Sequence, residues 1–220
     1  MRISVFLAMF ATLFTFGHAK ADETPADLKT FVIERNMPGV GELSAEELKE
    51  ASAKSNEVLA TLGGDAKIKW VNSYVTGDKL YCHYQAENAD LVKEHAQIAG
   101  FPADSVSEVH SRIDPTTGGA TANDLLNPPG GLNTYVIERE MPGAGQLSAE
   151  ELRAASETSN EVLAGMKDIQ WVHSYVTDDK LYCVYHAKNE DLVKEHARTA
   201  GFPASRVSQV FENIDPSTGK

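Results

Sequence analysis

The sequence predicts an α+β fold: two copies of a βαββαβ unit in one chain, with their sheets facing each other. Three observations predict it. Most of the chain is a tandem duplication, since pairing Phe31–Ala60 with Tyr135–Ala164 and Trp70–Gly118 with Trp171–Gly219 leaves 56 of 79 paired residues identical. Within each copy, runs of period two and runs of period 3.6 follow in the order strand, helix, strand, strand, helix, strand. A sheet with helices on one side leaves a bare face that must be covered, and the second copy is at hand to cover it.

Each element has its own signal. The β-branched and aromatic run TFVIER is stopped by Met37-Pro38-Gly39, which marks a strand and a turn. Ser44 with Glu47 three residues on is a capping box, and it opens a helix to about Leu62 with Leu48, Ala51, Ser55, Val58 and Leu59 on one face. KWVNSYVT and KLYCHYQA alternate around Gly77-Asp78 (Asp178-Asp179 in the second copy), which reads as a hairpin. DLVKEHAQIAG is a second helix closed by Gly100, and VSEVHSRID is a last strand ended by Asp114-Pro115. This order is the ferredoxin-like split βαβ arrangement. Two such units face to face make a pseudo-dimer resembling a dimeric α/β barrel.

The expected boundaries are a leader over 1–21, repeat 1 over 22–118, a Gly/Pro-rich linker over 119–131 and repeat 2 over 132–220. The leader is expected because Arg2 precedes an apolar run, Ile3–Phe16, and Ala19-Lys20-Ala21 then gives an A-x-A cleavage pattern. The run is shorter than the roughly 20 residues that span hydrocarbon. A signal peptide cut before Asp22, and a periplasmic or secreted product with no membrane association after cleavage, are therefore expected. The formal net charge is −12. Removing the leader, which holds two basic and no acidic residues, makes it −14. Such acidity disfavours nucleic acid and anionic membranes as partners and mildly favours cations. Cys82 and Cys183 occupy equivalent positions in the two copies. A pseudo-twofold keeps such positions apart, so two buried free thiols are expected rather than a disulfide.

Strand alternation sorts the candidate functional residues. Trp70, Asn72 and Tyr74, with Trp171, His173 and Tyr175, are expected between the sheets. So are Tyr81, His83 and Gln85, with Tyr182, Val184 and His186, and on the first strands Val32 and Glu34 with Val136 and Glu138. On the last strands Glu108 and His110, with Gln209 and Phe211, are expected there too. Cys82, Tyr84, Phe31 and Ile33 should lie under the helices. A space lined by tryptophan, tyrosine, histidine and glutamate reads either as a wet interface or as a pocket or metal site, because buried polar groups need partners. His95 and His196 sit inside apolar helix stripes, which suits a core histidine bonded to Ser73, Cys82 or Tyr84 as well as it suits a ligand.

The blocks VIERxMPGxGxLSAEEL, WVHSYVTDDKLYCVYHA, EHARTAGFPASRVSQV and IDP resemble, in order, a bacterial domain-of-unknown-function family whose named member is a small nickel-binding protein. The resemblance covers Thr30–Gly118 and Thr134–Gly219. It implies a ferredoxin-like fold, a covalently fused version of the family's dimer, and nickel or another divalent transition metal as ligand. The matching blocks contain Glu34/Glu138, Tyr74/Tyr175, Tyr81/Tyr182 and His95/His196. His173 fits the WVHSYV block, whereas the first copy departs from it with Asn72.

Two functions compete at this point. One is an exported metal-binding protein using His173, His196, His95, Glu34, Glu138 and His186, although the chain has no HExxH, CxxC or closely spaced histidine pair. The other is a ferredoxin-like barrel enzyme of monooxygenase or isomerase type, or a small-molecule-binding module, with a pocket of Trp70, Tyr74, Tyr81, His83, Trp171, Tyr175 and Tyr182. No set of nucleophile, base and orienting group is visible, which leans against an enzyme. The chain is expected to act as an intrachain pseudo-dimer, monomeric overall.

Overall fold

A computed structural model describes residues 27–122 and 128–220. The expected leader and the middle of the expected linker lie outside the described residues. Repeat 1 contributes β1 (Lys29–Asn36), α1 (Ala45–Thr61), β2 (Ile68–Val75), β3 (Lys79–Ala86), α2 (Ala89–Ala99), β4 (Ser105–Glu108) and β5 (Ser111–Ile113). Repeat 2 contributes β6 (Asn133–Glu140), α3 (Ala149–Ala164), β7 (Ile169–Val176), β8 (Lys180–Ala187), α4 (Glu190–Ala200), β9 (Arg206–Val210) and β10 (Glu212–Ile214).

The local signals act as expected. Ser44 and Ser148 form complete capping boxes with Glu47 and Glu151, which satisfies backbone donors that a helix start would otherwise leave open. Asn88 and Asn189 cap α2 and α4, and Gly100 and Gly201 close them in the left-handed conformation, φ 71° and 74°. Phe31, Ile33, Cys82, Tyr84 and Val92 form the core between one sheet and its helices, and Tyr135, Ile137, Cys183, Tyr185 and Val193 form its twin. Burying each large side chain of this kind contributes roughly 1.5–3 kcal/mol. A third cluster, including Val32, Tyr81, Val136, Val172 and Tyr182, fills the space between the sheets. Cys82 and Cys183 are buried free thiols.

The last strand of each unit departs from the expected four-stranded sheet. The expected single strand is two, and the second piece joins the other unit. The sheets run β10-β2-β3-β1-β4 and β5-β7-β8-β6-β9. The crossing takes one residue: the Val109 amide donates to Thr30 O in its own sheet, and the His110 amide donates to Val176 O in the other. Phe211 likewise donates to Val75 O. Each sheet thus receives on its β2 or β7 edge a strand from its partner, so those edges are paired instead of open. The tails continue onto the partner's helix. Asn160 donates to Pro115 O and Asn56 to Pro216 O, each at 2.9 Å. Gly118 meets α3 so closely that a Cβ would lie 2.6 Å from the Glu157 backbone nitrogen. Residues 111–118, expected to pack within repeat 1, are therefore structurally part of the opposite half.

A second departure is a bulge on β2 between Trp70 and Asn72, repeated on β7 between Trp171 and His173. One extra residue reverses the alternation from that point. Trp70 and Trp171 consequently lie in the helix-side cores, not between the sheets, and their indole N–H groups donate to Ser73 and Ser174. The last strands are also offset from expectation. Ser107 is opposite Val32 and so faces the other sheet, whereas Glu108 is opposite Phe31 and pairs at the edge with Lys29. Gln209 is likewise opposite Tyr135. His110 and Phe211 lie at the crossing points; His110 Nε2 is 2.6 Å from Asp178 Oδ1, and Phe211 is exposed.

Candidate functional site

The space between the sheets has two zones. Near the pseudo-twofold, β1 and β6 bring Glu34 and Glu138 together, and the first residues of β3 and β8 bring in Lys79 and Lys180. Lys79 Nζ donates to Glu34 at 2.6 Å and to Glu138 at 2.8 Å; Lys180 Nζ donates to them at 2.8 and 3.0 Å. Tyr182 donates to Glu34 at 2.6 Å, and Tyr81 to Glu138 at 2.5 Å. Burial works against ionisation of Glu34, but the bonds from Lys180, Lys79 and Tyr182 outweigh it and bring the carboxyl down to about 2. Burial opposes Glu138 in the same way, and Lys79 and Tyr81 hold it below the usual range. Both carboxylates are thus saturated by ammonium and phenol donors, and a dication entering here would have to displace two lysines. Glu34, Glu138, Tyr81 and Tyr182 are placed between the sheets as alternation required, but they build an ionic staple. Lys79 and Lys180 share parity with Tyr81 and Tyr182, which is the signal in the sequence that places them here.

The second zone is a cavity of about 660 Å³ to one side of this staple. Its walls include Asn72, Tyr74, His83, Arg112, His173 and Tyr175. The bulge presents Val71 together with Asn72, and the crossing strand β5 delivers Arg112. Tyr175 contacts both imidazoles, with ring centroids 4.5 Å from His83 and 4.8 Å from His173. Its hydroxyl is 3.0 Å from His83 Nδ1. His83 Nε2 and both ring nitrogens of His173 are buried without a partner. Burial, then Arg112, brings His83 down to about 4. Burial, Arg112 and His83 bring His173 down to about 3. Both rings are therefore neutral near pH 7 and carry lone pairs. Arg112 is paired with Asp114 at 2.9 Å, and Asn72 with Asn213 at 2.8 Å.

His110 also lines the cavity but is held by Asp178, and the other described histidines lie elsewhere. His95 and His196 are fully buried under the helices, with Nε2 3.1 and 3.2 Å from Ser55 and Ser159 and their rings against Tyr84 and Tyr185. The expected partners included Tyr84 but not Ser55, which arrives from the facing helix. Near each ring lies a buried arginine, Arg35 or Arg139, whose Nε donates to Cys82 or Cys183. This is a poor setting for a cation. His186 is buried with Nδ1 3.2 Å from Thr134 and does not line the cavity. Among the described residues, no three histidine, cysteine, aspartate or glutamate side chains meet as a ready metal cage. Among them, too, no helix is long and apolar enough to cross a membrane.

The family model described as "Nickel responsive protein SCO4226-like" matches residues 31–109 and again 135–210. The chain belongs to this family. Each match covers one repeat, so the family's unit occurs twice here and the two copies form the pseudo-dimer. Similar solved structures include chlorite dismutase from Candidatus Nitrospira defluvii in complex with imidazole, 9% identical over 85% of this chain and 92% of that one, TM-score 0.49. A mutant of the same enzyme in complex with cyanide is 10% identical over 85% and 92%, TM-score 0.46. Neither likeness bears on chemistry. Among curated proteins, none matches the chain.

Proposed function

We propose that this protein binds a divalent transition metal, nickel foremost, in the cavity between its sheets, with His173 and His83 as its protein donors. One observation carries the reading: His173 is buried beside His83 with both ring nitrogens unpartnered. A native protein rarely leaves buried polar atoms unsatisfied, and neutral imidazole is a good donor to nickel, copper or zinc. If Nδ1 of His83 donates to the Tyr175 hydroxyl, its Nε2 lone pair is free for the metal, and the phenol sets the ring's orientation. The family's nickel-related description agrees with this choice of ion.

Nickel titration by calorimetry tests it. His173→Ala and His83→Ala should each weaken binding about 10–100-fold, while Lys93→Ala, on the exposed side of α2, should leave it unchanged. Binding unchanged in both cavity variants would overturn the reading. The leader is part of the same proposal: nickel is bound outside the cytoplasm. N-terminal sequencing of the exported protein should begin at Asp22, and a mature chain retaining Met1 would refute export by this route.

A second reading, a small-molecule site, is favoured by the cavity's volume, which falls in the roughly 300–1,000 Å³ range of ligand pockets. An organic molecule recovered stoichiometrically from metal-free protein would support it.

A further inference from the structure

We infer that the cavity takes its metal not as the bare hydrated ion but as a chelate with a small organic carboxylate, whose carboxylate rests on Arg112. The inference presupposes the metal reading above and names the form of the ligand.

Three observations carry it. The first is the donor count. Three imidazoles line the cavity, but His110 is held by Asp178, which leaves His83 and His173, and among the described residues no cluster of three metal-binding side chains exists. Nickel in an N/O environment takes four to six ligands, so most of the coordination sphere must come from elsewhere. The second is volume. Four waters on the metal would occupy about 120 Å³, taking about 30 Å³ for each. The cavity holds about 660 Å³. An organic chelator fills that difference, whereas an aqua ion leaves it to solvent.

The third is charge. Arg112 shares the cavity wall with both imidazoles, and its positive charge opposes an uncompensated dication. The nearby carboxylates are engaged in their own turns. Asp114 accepts from Thr116 and from Arg112, and Asp215 accepts from Ser217 at 2.7 and 2.5 Å. A carboxylate on the metal lowers the charge of the complex and presents an oxygen to a guanidinium, whose planar fork suits it. The side-chain amides of Asn72 and Asn213, also in the wall, suit further polar groups of a chelator.

The probes are nickel chloride and a preformed one-to-one complex of nickel with L-histidine. L-histidine is a chelator with three donors, which leaves three positions for His83, His173 and a water. Both are titrated into the metal-free full chain, and native mass spectrometry weighs the product. The complex should bind at least about tenfold more tightly than the aqua ion, about 1.4 kcal/mol. The bound mass should include one histidine. Arg112→Gln should erase that preference, weakening binding of the complex at least about fivefold while aqua-ion binding tightens because a positive charge is gone, and Arg112→Lys should keep part of the preference. Equal affinity for the two forms, or a product containing nickel alone, overturns the inference and leaves the metal site standing. Failure of both forms to bind overturns the metal reading and this inference together.

Discussion

The two zones between the sheets have diverged to different degrees since the duplication. In the staple the copies carry the same residues, with Glu34, Lys79 and Tyr81 matched by Glu138, Lys180 and Tyr182. In the flanking zone they do not: Asn72, His83, Gln85 and His110 stand where the second copy has His173, Val184, His186 and Phe211. Burial follows the same division. Val71, Asn72, His83 and Gln85 are half-buried, whereas Val172, His173, Val184 and His186 are buried. The cavity takes Asn72 with His173 and Tyr74 with Tyr175 from the two copies, but His83 and Gln85 from the first alone. A joint between two units works best when its charges match across the axis. A single ligand site is free to be asymmetric once both halves are on one chain. Fusion therefore permits a cavity with two unlike walls, which a dimer of identical subunits cannot build.

The comparison is most directly broken at the staple. Glu34→Ala leaves the buried Lys79 with Glu138 as its one carboxylate partner, shared with the half-buried Lys180, and removing one partner of a buried ion pair costs about 3–5 kcal/mol. Chemical denaturation should show this loss, and a variant as stable as the parent would mean that the staple contributes little. Removing the whole network together, with apolar residues of similar size, should cost far less than the single change.

Acid separates the zones by pH. His83, His95 and His196 titrate at about 4 and His173 at about 3 in the folded protein, against an ordinary 6.5. The unfolded chain binds these protons first, so stability falls as pH drops from about 6.5 towards 4. Glu34 titrates at about 2 against 4.5, so its contribution is whole above 4.5 and is lost between 4.5 and 2. Thermal midpoints should therefore decline from near pH 6.5, before the staple is protonated. A flat profile down to pH 4.5 would contradict the buried, neutral state of the histidines.

The smallest expected change in stability, within about 0.5 kcal/mol, is Asn72→His. It places the second copy's residue in the first and adds an imidazole to the cavity wall beside His83 and His173. Nickel affinity should rise about tenfold, about 1.4 kcal/mol, because imidazole replaces an amide among the donors. No gain would place the metal away from that wall.

Much of this molecule follows from its sequence because it depends on short-range patterns. The capping boxes, the hairpins, the helix-side cores and the free thiols rest on spacings of two, three or four residues. Such spacings constrain a chain before anything packs against it. Alternation also assigned His83, Tyr81, Tyr182 and Glu34 to the inter-sheet space. Tertiary structure decided the rest. The bulges moved Trp70 and Trp171 beneath the helices. An extra residue in a strand is set by its pairing with the neighbouring strand, where it sharpens the local twist, and leaves no mark in the local pattern. The crossing at Val109-His110 carried Arg112 into the opposite sheet, where it meets His173. Two lysines next to two glutamates turned a candidate ligand set into a staple. Each of these depends on a partner distant in sequence, so periodicity could assign a residue its face but not its neighbour.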